Sequence, residues 1–148
     1  MSGPLHGVRI IDLTTAMMGP SATQILGDLG AEIIKVEPPA GDSVRGTGPA
    51  RHPGMSALFL GANRNKRSIV LDLKQAAGRE ALLKLAEAAD VLIYNVRPRA
   101  MARLHLTYAD VAAVNPRIIY CGAYGYRQDG PYAAKSAYDD LIQGAVGI

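Results

Sequence analysis

Apolar residues along the chain gather in five short, largely β-branched runs, at positions 8–11, 33–36, 69–71, 91–94 and 118–121. Runs of this length read as buried strands. They start 25, 36, 22 and 27 residues apart, too far for hairpins and right for crossovers that carry a helix. The pattern predicts an α/β fold, Rossmann-like, with a largely parallel sheet and helices on both faces. Between the first two runs, Ala22, Ile25, Leu26 and Leu29 fall at i, i+3, i+4 and i+7, one apolar stripe of a helix that stops at Gly30. Its start is marked either by Pro20 or by Ser21 with Gln24 as a capping box. Leu82, Leu85, Ala86 and Ala89 repeat that spacing before the fourth run, with Glu80 and Lys84 as an exposed i,i+4 pair. Thr107 with Asp110 predicts a further short helix that Asn115-Pro116 ends.

Two stretches break the pattern. Residues 38–54, rich in Pro and Gly, are expected to form a long, exposed, variable loop, and residues 122–135, rich in Gly and Tyr, a second. Asp139 and Asp140 then open an apolar segment with Leu141, Ile142, Ala145 and Val146. It reads as an amphipathic helix cut before its cap, so residues 1–148 are expected to be one lobe, the first part of a longer chain.

Composition narrows the chemistry. With 49% hydrophobic and 20% charged residues, the chain has the make-up of a folded domain rather than a disordered one. A net charge of +3 with one Phe and no Trp argues against nucleic acid and fits a small anionic ligand better. The single Cys121 excludes an internal disulfide framework and reads as core, and His6, His52 and His105 lack metal-ligand spacing, so no metal is expected. No apolar run approaches a membrane span and the N-terminus lacks a secretory pattern, so the expected location is cytoplasmic, away from membranes.

In open α/β sheets the ligand crevice lies beyond the carboxyl ends of the strands. The segment from Asp12 to Pro20 occupies such a place after the first strand. It lacks Gly-x-Gly-x-x-Gly, so a nicotinamide oxidoreductase is a distant alternative, and Gly19-Pro20 on its own reads as a turn into the helix. A basic run, Arg64 to Arg67, leads into the third strand, while Lys74, Arg97, Arg99 and Arg103 follow strands and gather on one sheet edge. Such a group suits a ligand with several phosphates. Asn95 adds an amide directly after the fourth strand. No Ser-His-Asp arrangement is legible, and no residue of the chain is assigned a catalytic role.

Taken in order, the following segments carry a resemblance: Pro4-Leu5-His6-Gly7-Val8-Arg9-Ile10-Ile11-Asp12, Gly19-Pro20, Leu29-Gly30-Ala31-Glu32-Ile33-Ile34-Lys35-Val36-Glu37-Pro38-Pro39, Gly41-Asp42, Asn65-Lys66-Arg67-Ser68-Ile69, Leu71-Asp72-Leu73-Lys74, Asn95-Val96-Arg97-Pro98, Asn115-Pro116-Arg117 and Asp129-Gly130-Pro131-Tyr132. From end to end the chain resembles the class III CoA-transferases, a family that includes formyl-CoA transferase, carnitine CoA-transferase and α-methylacyl-CoA racemase. The resemblance implies a CoA-binding lobe and, in complete members, an intertwined homodimer. By position it implies CoA contacts at Ala16, Met17, Met18, Leu71, Lys74, Asn95, Val96, Ala100, Arg103, Leu104, Tyr124 and Tyr126. Lys74 and Arg103 would meet nucleotide phosphates, and Met17, Met18 and Leu104 would line the adenine or pantetheine path.

CoA and acyl-CoA would be substrates, with a carboxylic acid as acceptor and no tightly bound cofactor. The family's transfer step uses an aspartate carboxylate, which by this likeness falls beyond Ile148. Pro38, Met17 and Tyr124 stand where formyl-CoA transferase has Arg, Gln and Lys, which disfavours formyl-CoA as substrate. Tyr138 stands where racemases have a proton-transfer His, which disfavours the alternative of a 2-methylacyl-CoA racemase. A stand-alone, non-catalytic CoA-binding module is the alternative from another class.

Overall fold

The computed structural model describes residues 3–148. In chain order it holds β1 (Arg9–Leu13), α1 (Met18–Asp28), β2 (Glu32–Glu37), a 3-10 turn (Ser43–Gly46), α2 (Ala57–Ala62), β3 (Lys66–Val70) and α3 (Ala76–Glu87). There follow β4 (Val91–Tyr94), α4 (Pro98–Arg103), α5 (Tyr108–Val114), β5 (Ile119–Gly122) and α6 (Asp139–Val146). The strands form one sheet in the order β3-β2-β1-β4-β5, every pair parallel. The order reverses at β1, so the switch point lies between β1 and β4.

Alternation along the strands sorts two faces. Ile11, Leu13, Val36, Leu92 and Tyr94 point to one side and pack with Leu82 and Ala86 of α3, Met101 of α4 and Val111 of α5 in the main core. Ile10 and Ile33 point to the other, where Leu26 of α1 joins a smaller cluster. On that second face the pattern changes along the strands: Asp12, Lys35 and Glu37 follow the aliphatic residues and are buried.

Several expectations are corrected. Strands three and five are edges rather than buried strands: the side chains of β3 are mostly exposed, and Cys121 on β5 is an exposed free thiol rather than core. The stripe of α1 is reversed in role, with Ala22, Ile25 and Leu29 exposed and Leu26 half-buried, while Gly19, Pro20, Thr23, Gln24 and Gly27 are buried. The reason is close approach. A Cβ at Gly19 would overlap the Thr14 side chain, and one at Gly27 would crowd Ile33 at 3.2 Å, so small residues let α1 settle onto the charged half of the face.

Neither expected start of α1 is used: the helix begins at Met18 after Met17, without a side-chain cap, and Pro20 sits in its first turn. Gly30 does take a left-handed φ of +103° just past its end. The loop at 38–54 is not uniformly exposed, because Asp42 and Val44 are buried and Asp42 caps the 3-10 turn. Helices α2 and α4 had no periodic signal to announce them, being six residues each. Glu80 and Lys84 do not close an ion pair among the described residues. Gly147 caps α6 in the left-handed conformation, contrary to the uncapped reading. The Thr107–Asp110 capping box and the end of α5 at Asn115 stand as expected.

Candidate functional site

At the switch point two loops meet. Residues 14–17 leave β1 and Asn95 leaves β4, and the two are joined because the Asn95 amide donates to the Thr15 carbonyl at 2.9 Å and accepts from the Thr15 N–H at 3.1 Å. Ala16 follows in the left-handed region, φ 66°.

Beneath this loop lies a buried charge network. The Lys66 ammonium, its side chain 2% exposed, sits 3.0 Å from Asp12 Oδ2 and donates to the Pro20 carbonyl and Asn63 Oδ1. Lys35 Nζ donates to the Thr14 carbonyl and lies 2.9 Å from Asp42 Oδ2. Arg45 reaches Glu37 with two N–H groups, at 2.6 and 2.7 Å, and lies over the Phe59 ring. Burial works against ionising Asp12, but Lys66 and the hydroxyls of Thr14 and Thr23 outweigh it, and the carboxyl is held below the usual range. Burial opposes Glu37 in the same way, and the Arg45, Ser68 and Asp42 hydrogen bonds bring it down to about 2. Burial also lowers Lys66, against the pull of Asp12. Three acids thus face three bases, and the network is locally neutral.

The positive field lies elsewhere. An open groove of about 750 Å³ is lined by Val96, Arg97, Arg99, Ala100 and Arg103. A second, of about 380 Å³, is lined by Lys74, Arg79, Ala100, Arg103 and Leu104. Sharing Ala100 and Arg103, they form one continuous rim around α4 and the start of α3. Among the described residues none of these five cations has a carboxylate within ion-pair distance. Arg79 donates to the Lys74 carbonyl and Arg97 to the Ser136 hydroxyl. Four planar guanidinium forks and an ammonium have the geometry and charge that suit a ligand carrying several phosphates.

The structure brings together Val96, Ala100 and Arg103 in one groove and Lys74, Ala100, Arg103 and Leu104 in the other. Ala16, Met17, Met18, Leu71, Asn95, Tyr124 and Tyr126 line neither. Met17 and Met18 are exposed at the head of α1, and Leu71 packs on the main core. Tyr124 turns its hydroxyl inward to donate to the Tyr94 hydroxyl, burial pushing Tyr94 up to about 12 and Tyr124 still higher. Tyr126 sets its ring edge against Tyr132.

Sequence reasoning did not name Arg79, and it read Lys66 only as part of a basic run leading into the third strand. A cation early in a helix sits at the unfavourable end of the dipole, which was the available signal for Arg79. For Lys35 and Glu37 the signal was alternation, since both share a strand face with the buried Ile33.

A parallel sheet in this order, with a cationic rim beside its switch point, defines a Rossmann-like protein equipped for a polyanionic ligand. The chain belongs to CoA-transferase family III, whose family model matches residues 5–148. It is 45% identical over 148 residues to acetyl-CoA:oxalate CoA-transferase of Acetobacter aceti, covering 99% of this chain and 38% of that protein. It is 44% identical over 146 residues to succinyl-CoA:glutarate CoA-transferase of Mus musculus, covering 98% of this chain and 34% of the relative. The crystal structure of a CaiB/BaiF family protein from Brucella suis superposes with a TM-score of 0.95 at 40% identity, over 100% of this chain and 40% of that one. The chain therefore spans little more than a third of the length of these relatives. Among the described residues no helix is long and apolar enough to cross a membrane.

Proposed function

We propose that the chain is the N-terminal, CoA-binding lobe of an acyl-CoA:carboxylate CoA-transferase. The observation that carries this reading is the rim of five cations that have no carboxylate partner among the described residues, in a chain of this family. Lys74, Arg79 and Arg103 hold phosphates of CoA, with Arg97 and Arg99 at the wider groove. Val96, Ala100 and Leu104 supply the apolar floor between them. Ala16, Met17, Met18, Leu71, Tyr124 and Tyr126 flank the path of the pantetheine arm, and Asn95 belongs to the site through the loop it holds. CoA is a substrate here, taken from an acyl-CoA donor and passed to a carboxylic acid.

The transfer itself follows from carboxylate chemistry in a protein of the relatives' length. An aspartate beyond residue 148 attacks the acyl thioester carbonyl, the C–S bond breaks, and a mixed anhydride and the CoA thiolate result. The thiolate then attacks the aspartyl carbonyl, releasing the donor carboxylate and leaving an aspartyl-CoA thioester. The acceptor carboxylate reverses the sequence. The rim's part is to hold the nucleotide end so that the sulfur returns to the same place. The working protein is an intertwined homodimer in the cytoplasm. Racemisation is not proposed: Tyr138 is exposed ahead of α6, and both curated relatives compared above are named transferases.

Equilibrium dialysis of the chain against CoA and against NAD tests the binding half: CoA is retained and NAD is not. In a protein of the relatives' length, acyl-CoA with hydroxylamine converts one aspartate to its hydroxamate. Retention of NAD in preference to CoA, or an untouched carboxylate, contradicts the reading.

A further inference from the structure

The backbone of residues 14–16 lies beyond the strand and ahead of the helix, so its polar groups need partners from elsewhere. Every one from the Thr14 N–H to the Ala16 N–H has a side chain facing it. The Thr14 N–H donates to Asp12 Oδ1 at 2.9 Å, and the Thr14 carbonyl accepts from Lys35 Nζ at 2.9 Å. Asn95 takes both groups of Thr15, and the Ala16 N–H faces Asp42 Oδ1 at 3.5 Å. Only then does regular structure resume, with the Ser21 N–H donating to the Met17 carbonyl. Four side chains from β1, β2, the 38–54 loop and the exit of β4 thus grip three residues. The result is an alanine at φ 66°, a conformation that a non-glycine residue keeps only where its surroundings over-determine it.

We infer that Asn95 serves the site as a positioning residue: by gripping Thr15 on both sides it fixes Ala16 in the left-handed conformation and pre-forms Ala16-Met17-Met18 beside the exit of β4. It acts through the loop it holds. Asn95 is the member of the grip that spans the switch point, adjoining Val96 and Arg97 of the wider groove. A loop already ordered costs no ordering when the ligand arrives, so releasing it lowers affinity without removing any contact. The inference rests on the CoA reading for its ligand, while the grip itself is measurable without one.

The experiment compares the full chain with Asn95→Ala and with the double variant Asn95→Ala/Ala16→Gly. Hydrogen exchange of the Thr15 amide in the unliganded protein is expected to quicken about tenfold in Asn95→Ala, the loss of one ordinary hydrogen bond. CoA affinity by calorimetry is expected to fall by about the same factor. Ala16→Gly, which admits the left-handed conformation without a Cβ penalty, is expected to restore a good part of that affinity in the double variant. A direct ligand would show no such recovery, and an affinity loss without recovery overturns the positioning role. Unchanged Thr15 protection in Asn95→Ala overturns the grip. If wild type fails to bind CoA, the CoA reading and the positioning role fall together, and exchange alone then decides the grip. Should Asn95→Ala not fold, Asn95→Asp, which keeps the acceptor and loses the donor, is read in the same way.

Discussion

Arg103 is the residue on which the two grooves converge, and Asp12 the one on which the buried network converges. They serve different ends. Arg103→Ala removes a guanidinium shared by both grooves and should weaken CoA binding by about tenfold, with a shallower salt dependence, as calorimetry at two ionic strengths would report. Asp12→Asn leaves the Lys66 ammonium buried without its carboxylate and should lower stability by about 3 kcal/mol in urea unfolding. Of these two placements, the sequence reached the first, because a cation following a strand falls on the crevice edge of a parallel sheet whatever the details. The second was hidden, since Lys66 stands between Asn65 and Arg67 in what looks like a solvated basic run. Its burial depends on pairing with β2, which sets Lys66 opposite Ile33 and level with Ile10 of β1, on the face that also carries Asp12, so that its ammonium reaches the Asp12 carboxylate.

The contrast between α1 and α3 shows how far periodicity carries at the scale of an element. On α3 the apolar stripe faces the core, with Leu82 and Ala86 buried. On α1 the same spacing faces outward, Ile25 being 58% exposed, because the inward face is chosen by size and by the Thr23 hydrogen bond to Asp12. Gly19→Ala should therefore destabilise the fold by about 2 kcal/mol through overpacking against Thr14. Thr107→Ala should cost α5 about 1 kcal/mol by removing its capping box. Thermal unfolding of both variants checks the order of these losses. The capping box was legible since its signal is wholly local, whereas the burial of strands is not: β3 and β5 carry aliphatic runs as fit for the centre of a sheet as for its edge.

For the whole molecule, parallel connectivity followed from the distances between apolar runs, while the strand order, and with it the switch point, had to come from the structure. The same holds for the 38–54 loop, whose composition suggests exposure but which is tied down at Asp42, Val44 and Arg45. That tie has a pH signature. Glu37 is lowered from 4.5 to about 2 in the folded protein, so its contribution is complete above the unfolded value and is lost as pH falls through the folded one. Urea midpoints should decline between pH 4.5 and about 2, and Glu37→Gln should flatten that decline.

The claim on which the functional account rests is that the cationic rim holds the phosphates of CoA. Amide chemical shifts of the isotopically labelled chain, followed during titration with CoA, test it most directly. The account predicts saturable shifts concentrated at Lys74 to Arg79 and Val96 to Leu104, with Met17 and Met18 moving alongside. Shifts that instead cluster on the exposed face of α1 or along the edge of β5, or no shifts at millimolar CoA, would contradict it.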